Sequence, residues 1–321
     1  MPRVLAVCLL FALAGCKVNE ETKLIAIIGA VLIDGNGGPP ITDSVVVVSG
    51  TRIRSAGLRA NVPIPAGSDK INGSGKFLTP GLIDLSASGD AASQSAALLA
   101  GVTTTRTFDA SRGFIGETAD PEVARRRVAE LAAKGVDFLY VGSRDRRPTH
   151  EVTDAVLEEA RKYNIPVTGY CSSIVEAKYL VSAGVASLVG TFGDTADLDS
   201  DFLAKLRALK IVVVPTLSTE VEKRNAKMMA AAGVLIGAAG RTTMELLAEA
   251  GLSPLEISTA ATRNGAMALR KLDQLGTIEA GKRADLLLLN ANPIEDVRNF
   301  QRIDQMMSNG EWVDRAALKA K

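Results

Sequence analysis

A single imidazole limits the chemistry open to this chain. His150 is the only histidine in 321 residues, so no site within one copy can use two imidazoles. A Ser–His or Cys–His relay must be built around His150 or not at all. His150 follows Pro148-Thr149 and precedes Glu151 at a predicted helix start. The positive end of a helix disfavours an imidazolium, and the residue reads as a surface side chain beside an N-cap. Cys171 lies about twenty residues further on. As a nucleophile it would need a base within reach, and a buried, inert thiol is the reading we take. The chain has no G-x-S-x-G elbow of the kind that presents a catalytic serine. Arg144, Arg146 and Arg147 could meet an anion, but Asp145 stands among them and a solvated loop accounts for the cluster.

Composition narrows the classes further. Lys plus Arg number 37 and Asp plus Glu 36, a net charge of +1, which leaves no electrostatic footprint for nucleic acid. Aromatics are 4%, too few for stacking platforms. Hydrophobic residues make up 47%, ample for a large core. At the start, Arg3 precedes an apolar run from Val4 to Ala14 that is too short to span a bilayer. It ends in Leu13-Ala14-Gly15-Cys16, which looks like a bacterial lipobox. That resemblance implies removal of residues 1–15, a lipid on Cys16 and an exported, envelope-anchored protein. Lys17 after the cysteine favours the outer membrane, facing the periplasm. Cys8 would leave with the signal, so Cys171 would have no disulfide partner.

The elements that must position any site follow from periodicity. Leu24–Ile33, Ser44–Ser49 and Arg52–Ala56 read as strands, with a Gly- and Pro-rich loop from Asp34 to Pro40. From Leu78 to Arg270 short apolar runs alternate with helical patterns, which predicts βα units and a parallel sheet. The runs are Leu78–Leu85, Thr103–Phe108, Val136–Val141, Ile165–Tyr170, Ala186–Gly190, Ile211–Thr216 and Val234–Ala238. Pro121–Lys134 and Thr153–Tyr163 read as helices between them. Ser253-Pro254-Leu255-Glu256 predicts a capping box with Pro in the first turn. Strand character returns at Ala284–Leu289 and at Arg302–Val313. The expected organisation is a β-sandwich built from residues 16–77 and 273–321, with a barrel inserted over 78–272.

Val31-Leu32-Ile33-Asp34-Gly35, Thr79-Pro80-Gly81-Leu82-Ile83-Asp84 and Gly101-Val102-Thr103-Thr104 resemble the amidohydrolase superfamily, near its imidazolonepropionase-like branch. So do Ala261-Thr262-Arg263-Asn264-Gly265-Ala266, the run from Leu275 to Leu286, and Asn292-Pro293. The resemblance covers nearly the whole chain after the signal. It implies a (β/α)8-type barrel, shortened, with a small β-sandwich from both ends. Chemistry in such barrels sits at the C-terminal ends of the strands. The family's chemistry is metal-assisted hydrolysis of C–N bonds, with His, carboxylated Lys and Asp as ligands.

By that resemblance the ligand positions hold other residues. Ser86 and Ser88 stand for the H-x-H pair, Tyr140 for the lysine, Tyr170 and Gly190 for the later histidines, and Arg241 near the terminal aspartate. No catalytic residue, metal or other cofactor is therefore expected. These six positions are the candidate pocket: either a polar binding site with Arg241 set to meet a carboxylate or phosphate, or, the reading we favour, side chains whose hydroxyls fill the space of the metal and bond to one another or to water. Arg106 and Arg241 are the cations that could lower a tyrosine pKa there. No clear third barrel strand is visible between Asp109 and Pro121 beyond Gly113-Phe114-Ile115-Gly116, so the sequence leaves open whether eight strands close the barrel, and any opening or irregularity is expected at the third strand. The favoured function is a non-catalytic envelope lipoprotein that binds a small ligand or a partner. The alternatives are a C–N hydrolase with a metal-free or recruited mechanism, and an accessory subunit of an intact homologue.

Overall fold

The computed structural model describes residues 23–88, 90–108, 114–115, 118–144 and 146–319. Cys16, Asp109, Gly113, Gly116 and Asp145 lie outside them, as does the side chain of Ser88.

The N-terminal strands are β1 (Leu24–Leu32), β2 (Ile41–Ser49), β3 (Arg52–Leu58), β4 (Asp69–Asn72) and β5 (Phe77–Pro80). The barrel strands are β6 (Leu82–Ser88), β7 (Val102–Phe108), β8 (Phe114–Ile115), β9 (Leu139–Val141), β10 (Val167–Cys171), β11 (Ser187–Gly190), β12 (Val212–Pro215) and β13 (Leu235–Ile236). The chain returns through β14 (Leu286–Leu289), β15 (Ile303–Ser308) and β16 (Glu311–Trp312). The helices are α1 (Ala91–Leu99), α2 (Pro121–Ala133), α3 (His150–Lys162), α4 (Ile174–Ala183), α5 (Ser200–Ala208), α6 (Glu220–Ala231), α7 (Gly240–Glu249), α8 (Pro254–Ala260), α9 (Arg263–Ala268) and α10 (Arg315–Lys319).

Both chain ends build one sheet, ordered β16-β15-β14-β5-β1-β2-β3, with β4 on the flank of β1. The join is β5 against β14, antiparallel, Phe77 opposite Leu289 and Pro80 opposite Leu286. The far edge curls back: Ile53 N–H donates to Lys282 O at 2.8 Å and Ala284 N–H to Thr51 O at 2.9 Å. Ile25, Ile27, Val46, Val48, Leu78, Leu286 and Leu288 fill the inside.

The expected run Leu78–Leu85 is two strands. Phe77–Pro80 belongs to the terminal sheet, and Leu82 opens the barrel. Gly81 lies between them because Thr103 packs on it: a Cβ there would sit 2.2 Å from Thr103 Oγ1.

The barrel strands number eight, and the irregularity falls at the third strand, where it was expected. β6 and β7 pair in parallel, and β8 to β13 form a six-stranded parallel sheet in chain order. Leu85 N–H donates to Ala238 O at 3.2 Å, which ties β6 to the end of β13. The third strand is the two-residue β8, Phe114 beside Tyr140 and Ile115 beside Val141. Between β7 and β8 no ladder is formed among the described residues.

The helices around the barrel start on side-chain caps: Asp120, Thr149, Ser173, Asp199 and Thr219 each accept from a backbone N–H of the first turn. Ser253 and Glu256 form the expected reciprocal capping box, with Pro254 at the start of the helix. The largest apolar core lies between the outward faces of the strands and these helices, and includes Leu139, Val141, Cys171, Leu188 and Val213.

Candidate functional site

Strand pairing sets the heights of side chains in the barrel. Tyr140 lies beside Thr168, and Thr168 beside Ser187, so three polar side chains from β9, β10 and β11 share one level. β7 sends Arg106 into that level. Its guanidinium is fully buried, at 0% exposure. Nε donates to Leu85 O at 2.9 Å, and Nη1 donates to Thr168 Oγ1 and Ser187 Oγ, both at 3.0 Å. The two hydroxyls lie 2.9 Å apart and bond to each other. Tyr140 Oη donates to the same Leu85 carbonyl at 3.1 Å. The guanidinium carbon stands 5.2 Å from the Tyr140 ring centroid and 5.9 Å from that of Phe138, a cation–π arrangement. Nη2 makes no hydrogen bond of good geometry.

Charge at this level is unbalanced. Burial lowers the Arg106 pKa from its ordinary value, and the nearby Tyr140 and Asp84 offset part of that. Burial likewise raises Tyr140, with Arg106 opposing. Asp84 is raised by burial, against the Ser86 N–H that donates to its Oδ1 at 2.9 Å and the charge of Arg106. Among the described residues no carboxylate forms an ion pair with Arg106. The nearest acidic influence is Asp84, packed against Gly240, where a Cβ would sit 2.9 Å from Asp84 Oδ2.

The residues singled out from the sequence do not converge. Ser86 is exposed near the end of β6, and Ser88 closes that strand. Tyr140 is 4% exposed and lies two residues below the level of Tyr170, against the expectation of equal heights, because β9 pairs one level lower in the barrel. Tyr170 is half-buried and lines a cavity between α3 and α4. Gly190 presents nothing to a pocket: its φ is 147°, and a Cβ would lie 1.8 Å from Cys171 O. Arg241 is on the surface of α7, pairs with Glu245 at 3.7 Å and keeps 57% of its side chain exposed, so it does not enter the barrel. His150 is the exposed first residue of α3, as expected. Cys171 is buried and free, and burial pushes its thiol well up, which makes it inert.

The βα loops at this end are tied down to neighbouring helices. Glu176 Oε2 accepts from Ser172 N–H and Oγ–H, Asp194 accepts from Ile174 N–H, and Glu222 accepts from Thr216 Oγ1–H and Ser218 N–H.

This donor set does not fit a divalent metal. Among the described residues no three His, Cys, Asp or Glu side chains are grouped to hold an ion. Neutral hydroxyls are poor ligands, and a fixed guanidinium lies just inside.

The amidohydrolase family model matches residues 87–313. The chain belongs to the amidohydrolase family. It is 23% identical over 210 residues to the imidazolonepropionase of Thermoanaerobacter pseudethanolicus, covering 58% of this chain and 48% of that one. The chain thus spans about half the length of that curated relative. Among solved structures, molinate hydrolase superposes with a TM-score of 0.79 at 19% identity, over 94% of this chain and 97% of that one. Phenylurea hydrolase B gives 0.78 at 21%, over 93% and 98%. These likenesses establish the (β/α)8-type barrel fold.

Sequence reasoning missed Thr168 and Ser187, the acceptors of Arg106. Each is an ordinary small polar residue in a strand, and only the register brings them together.

Proposed function

We propose that this chain is a non-catalytic member of its family, an exported lipoprotein held to the outer membrane by a lipid on Cys16 and acting as a binding module in the periplasm. One observation carries the reading: the fully buried guanidinium of Arg106, held by Leu85 O, Thr168 and Ser187, fills the barrel interior. A divalent ion at the strand ends above it would meet a cation and hydroxyls in place of imidazoles and carboxylates. Gly190 adds support, since its backbone admits no side chain and so no ligand. A metal-free hydrolase would need a nucleophile with a base. Cys171 is buried, Ser86 bonds through its backbone to Asp84, and His150 is the exposed start of a helix.

The test has two parts. Untagged protein, dialysed and analysed for zinc, manganese, iron and nickel, should carry none stoichiometrically. A screen against amides, lactams and dipeptides should give no turnover. About one metal per chain, or turnover abolished by Ser86→Ala, would overturn the reading.

A further inference from the structure

Between α3 and α4, at the ends of β9 and β10, lies a cavity of about 320 Å³. It lies beyond the Arg106 level: Tyr170, two residues past Thr168 on β10, lines it, and Arg106, Leu85 and Ser187 do not. Its size is at the small end of ligand pockets, which run from roughly 300 to 1,000 Å³.

The lining has three parts. One wall is a ring pair, His150 stacked on Tyr179 with centroids 3.7 Å apart and planes 18° from parallel. Tyr179 is fixed in place, its Oη 2.9 Å from Asp154 Oδ1 and 3.0 Å from His150 O. Burial and the Asp154 carboxylate push its phenol up, so it stays protonated. The second part is a cation: Arg147 is exposed and has no ion pair among the described residues. The third is an anion: both hydrogen bonds to Glu176 fall on Oε2, which leaves Oε1 without a partner among the described residues. Val141, Pro148 and Leu180 supply apolar contact.

A guanidinium, a carboxylate and a flat wall in one small cavity suit neither a simple anion nor a simple cation, because each would meet one like charge. They complement a zwitterion with a flat side chain, and the volume limits it to a single small unit. We propose that this cavity seats an α-amino acid with an aromatic side chain: carboxylate on Arg147, ammonium on Glu176 Oε1, ring against the His150–Tyr179 stack. The inference rests on the binding-module reading above and names the ligand class.

His150, as the only histidine, gives the untagged protein one pair of imidazole C–H signals in NMR, which reports on this cavity. Phenylalanine should shift it saturably. 3-Phenylpropionate, lacking the ammonium, and phenethylamine, lacking the carboxylate, should each bind about tenfold or more weakly, the loss expected for one charge-assisted bond. Arg147→Gln should reduce phenylalanine to the level of phenethylamine and leave phenethylamine unchanged; Arg147 is exposed and has no ion pair among the described residues, which makes this variant safe for folding. No shift with phenylalanine, equal binding of either analogue, or full affinity in Arg147→Gln would overturn the seat, and would leave the non-catalytic reading standing. Ammonia released from phenylalaninamide by the wild-type chain would overturn the non-catalytic reading, and a saturable phenylalanine shift in the same sample would still support the seat.

Discussion

Removing one hydroxyl from the barrel interior tests whether Arg106 is charged and organises that level. In Ser187→Ala, Nη1 of Arg106 loses one of its two hydroxyl acceptors, a 3.0 Å bond, and Thr168 loses its neighbour at 2.9 Å. A hydrogen bond to a charged group is worth about 1.5–3 kcal/mol, so the variant should lose stability in that range. In an Arg106→Met background the charge is gone, and Ser187 has only its neutral bond to Thr168. The same substitution should then cost about 0.5–1.5 kcal/mol. Arg106→Met itself leaves few orphans, because Leu85 O keeps the Tyr140 hydroxyl and the two small hydroxyls keep each other. Replacing buried charge by apolar volume is often neutral, so this variant should remain folded. Urea midpoints of the four proteins close the cycle. A coupling of roughly 1 kcal/mol or more is the expected result. Equal losses from Ser187→Ala in both backgrounds would refute the account of the interior as a hydroxyl cage around a guanidinium.

Gly190→Ala should cost more than about 4 kcal/mol, or prevent folding, since its Cβ would stand 1.8 Å from a carbonyl oxygen; expression and thermal melting would show it, and a well-folded alanine variant would contradict the local backbone. Burial raises the Asp84 pKa, so the folded chain holds that proton to higher pH than the unfolded chain, and stability falls as pH climbs from the unfolded value through the folded one. Asp84→Asn, which keeps an acceptor for Ser86 N–H, should flatten that slope and be the more stable at neutral pH; denaturation against pH measures it, and a larger slope in the variant would reverse the sign. Ser86→His with Ser88→His should not create a strong metal site, because two imidazoles still lack partners from later strands; stoichiometric zinc in that variant would contradict this. Cys16→Ala should move the protein from the detergent-soluble membrane fraction to the periplasmic extract; a wild-type N-terminus without acyl mass would overturn the anchor.

Local signals were legible where one short stretch carries them. The Ser253–Glu256 box needs only four residues, and the apolar runs of β10, β11 and β12 are long enough to show as strands. A two-residue strand has no period, so Phe114–Ile115 was visible only as a remnant, and the barrel was expected to be short. The break at Gly81 was hidden because both halves of Leu78–Leu85 are apolar and only packing against Thr103 separates them. Family positions locate residues along strands, but levels inside a barrel depend on register, which placed Tyr140 below Tyr170. Arg106 in Thr103-Thr104-Thr105-Arg106 was legible as a cation near the tyrosines, but not as the buried centre of a hydroxyl cage. Its burial depends on acceptors 62 and 81 residues away.

The antiparallel pairing of Phe77–Pro80 with Leu286–Leu289 has a consequence for how the protein comes into being. During synthesis the first five strands emerge early, yet the partner of β5, β14, is made only after the whole barrel. Until then β5 presents an unpaired, apolar edge, the kind of edge that recruits other chains. Closing a loop that holds the entire barrel is entropically slow, so the barrel has time to form first and then bring the two ends together. A ribosome that stops before Leu286 would release a chain with a finished middle and a sticky margin, an easy target for proteases and chaperones.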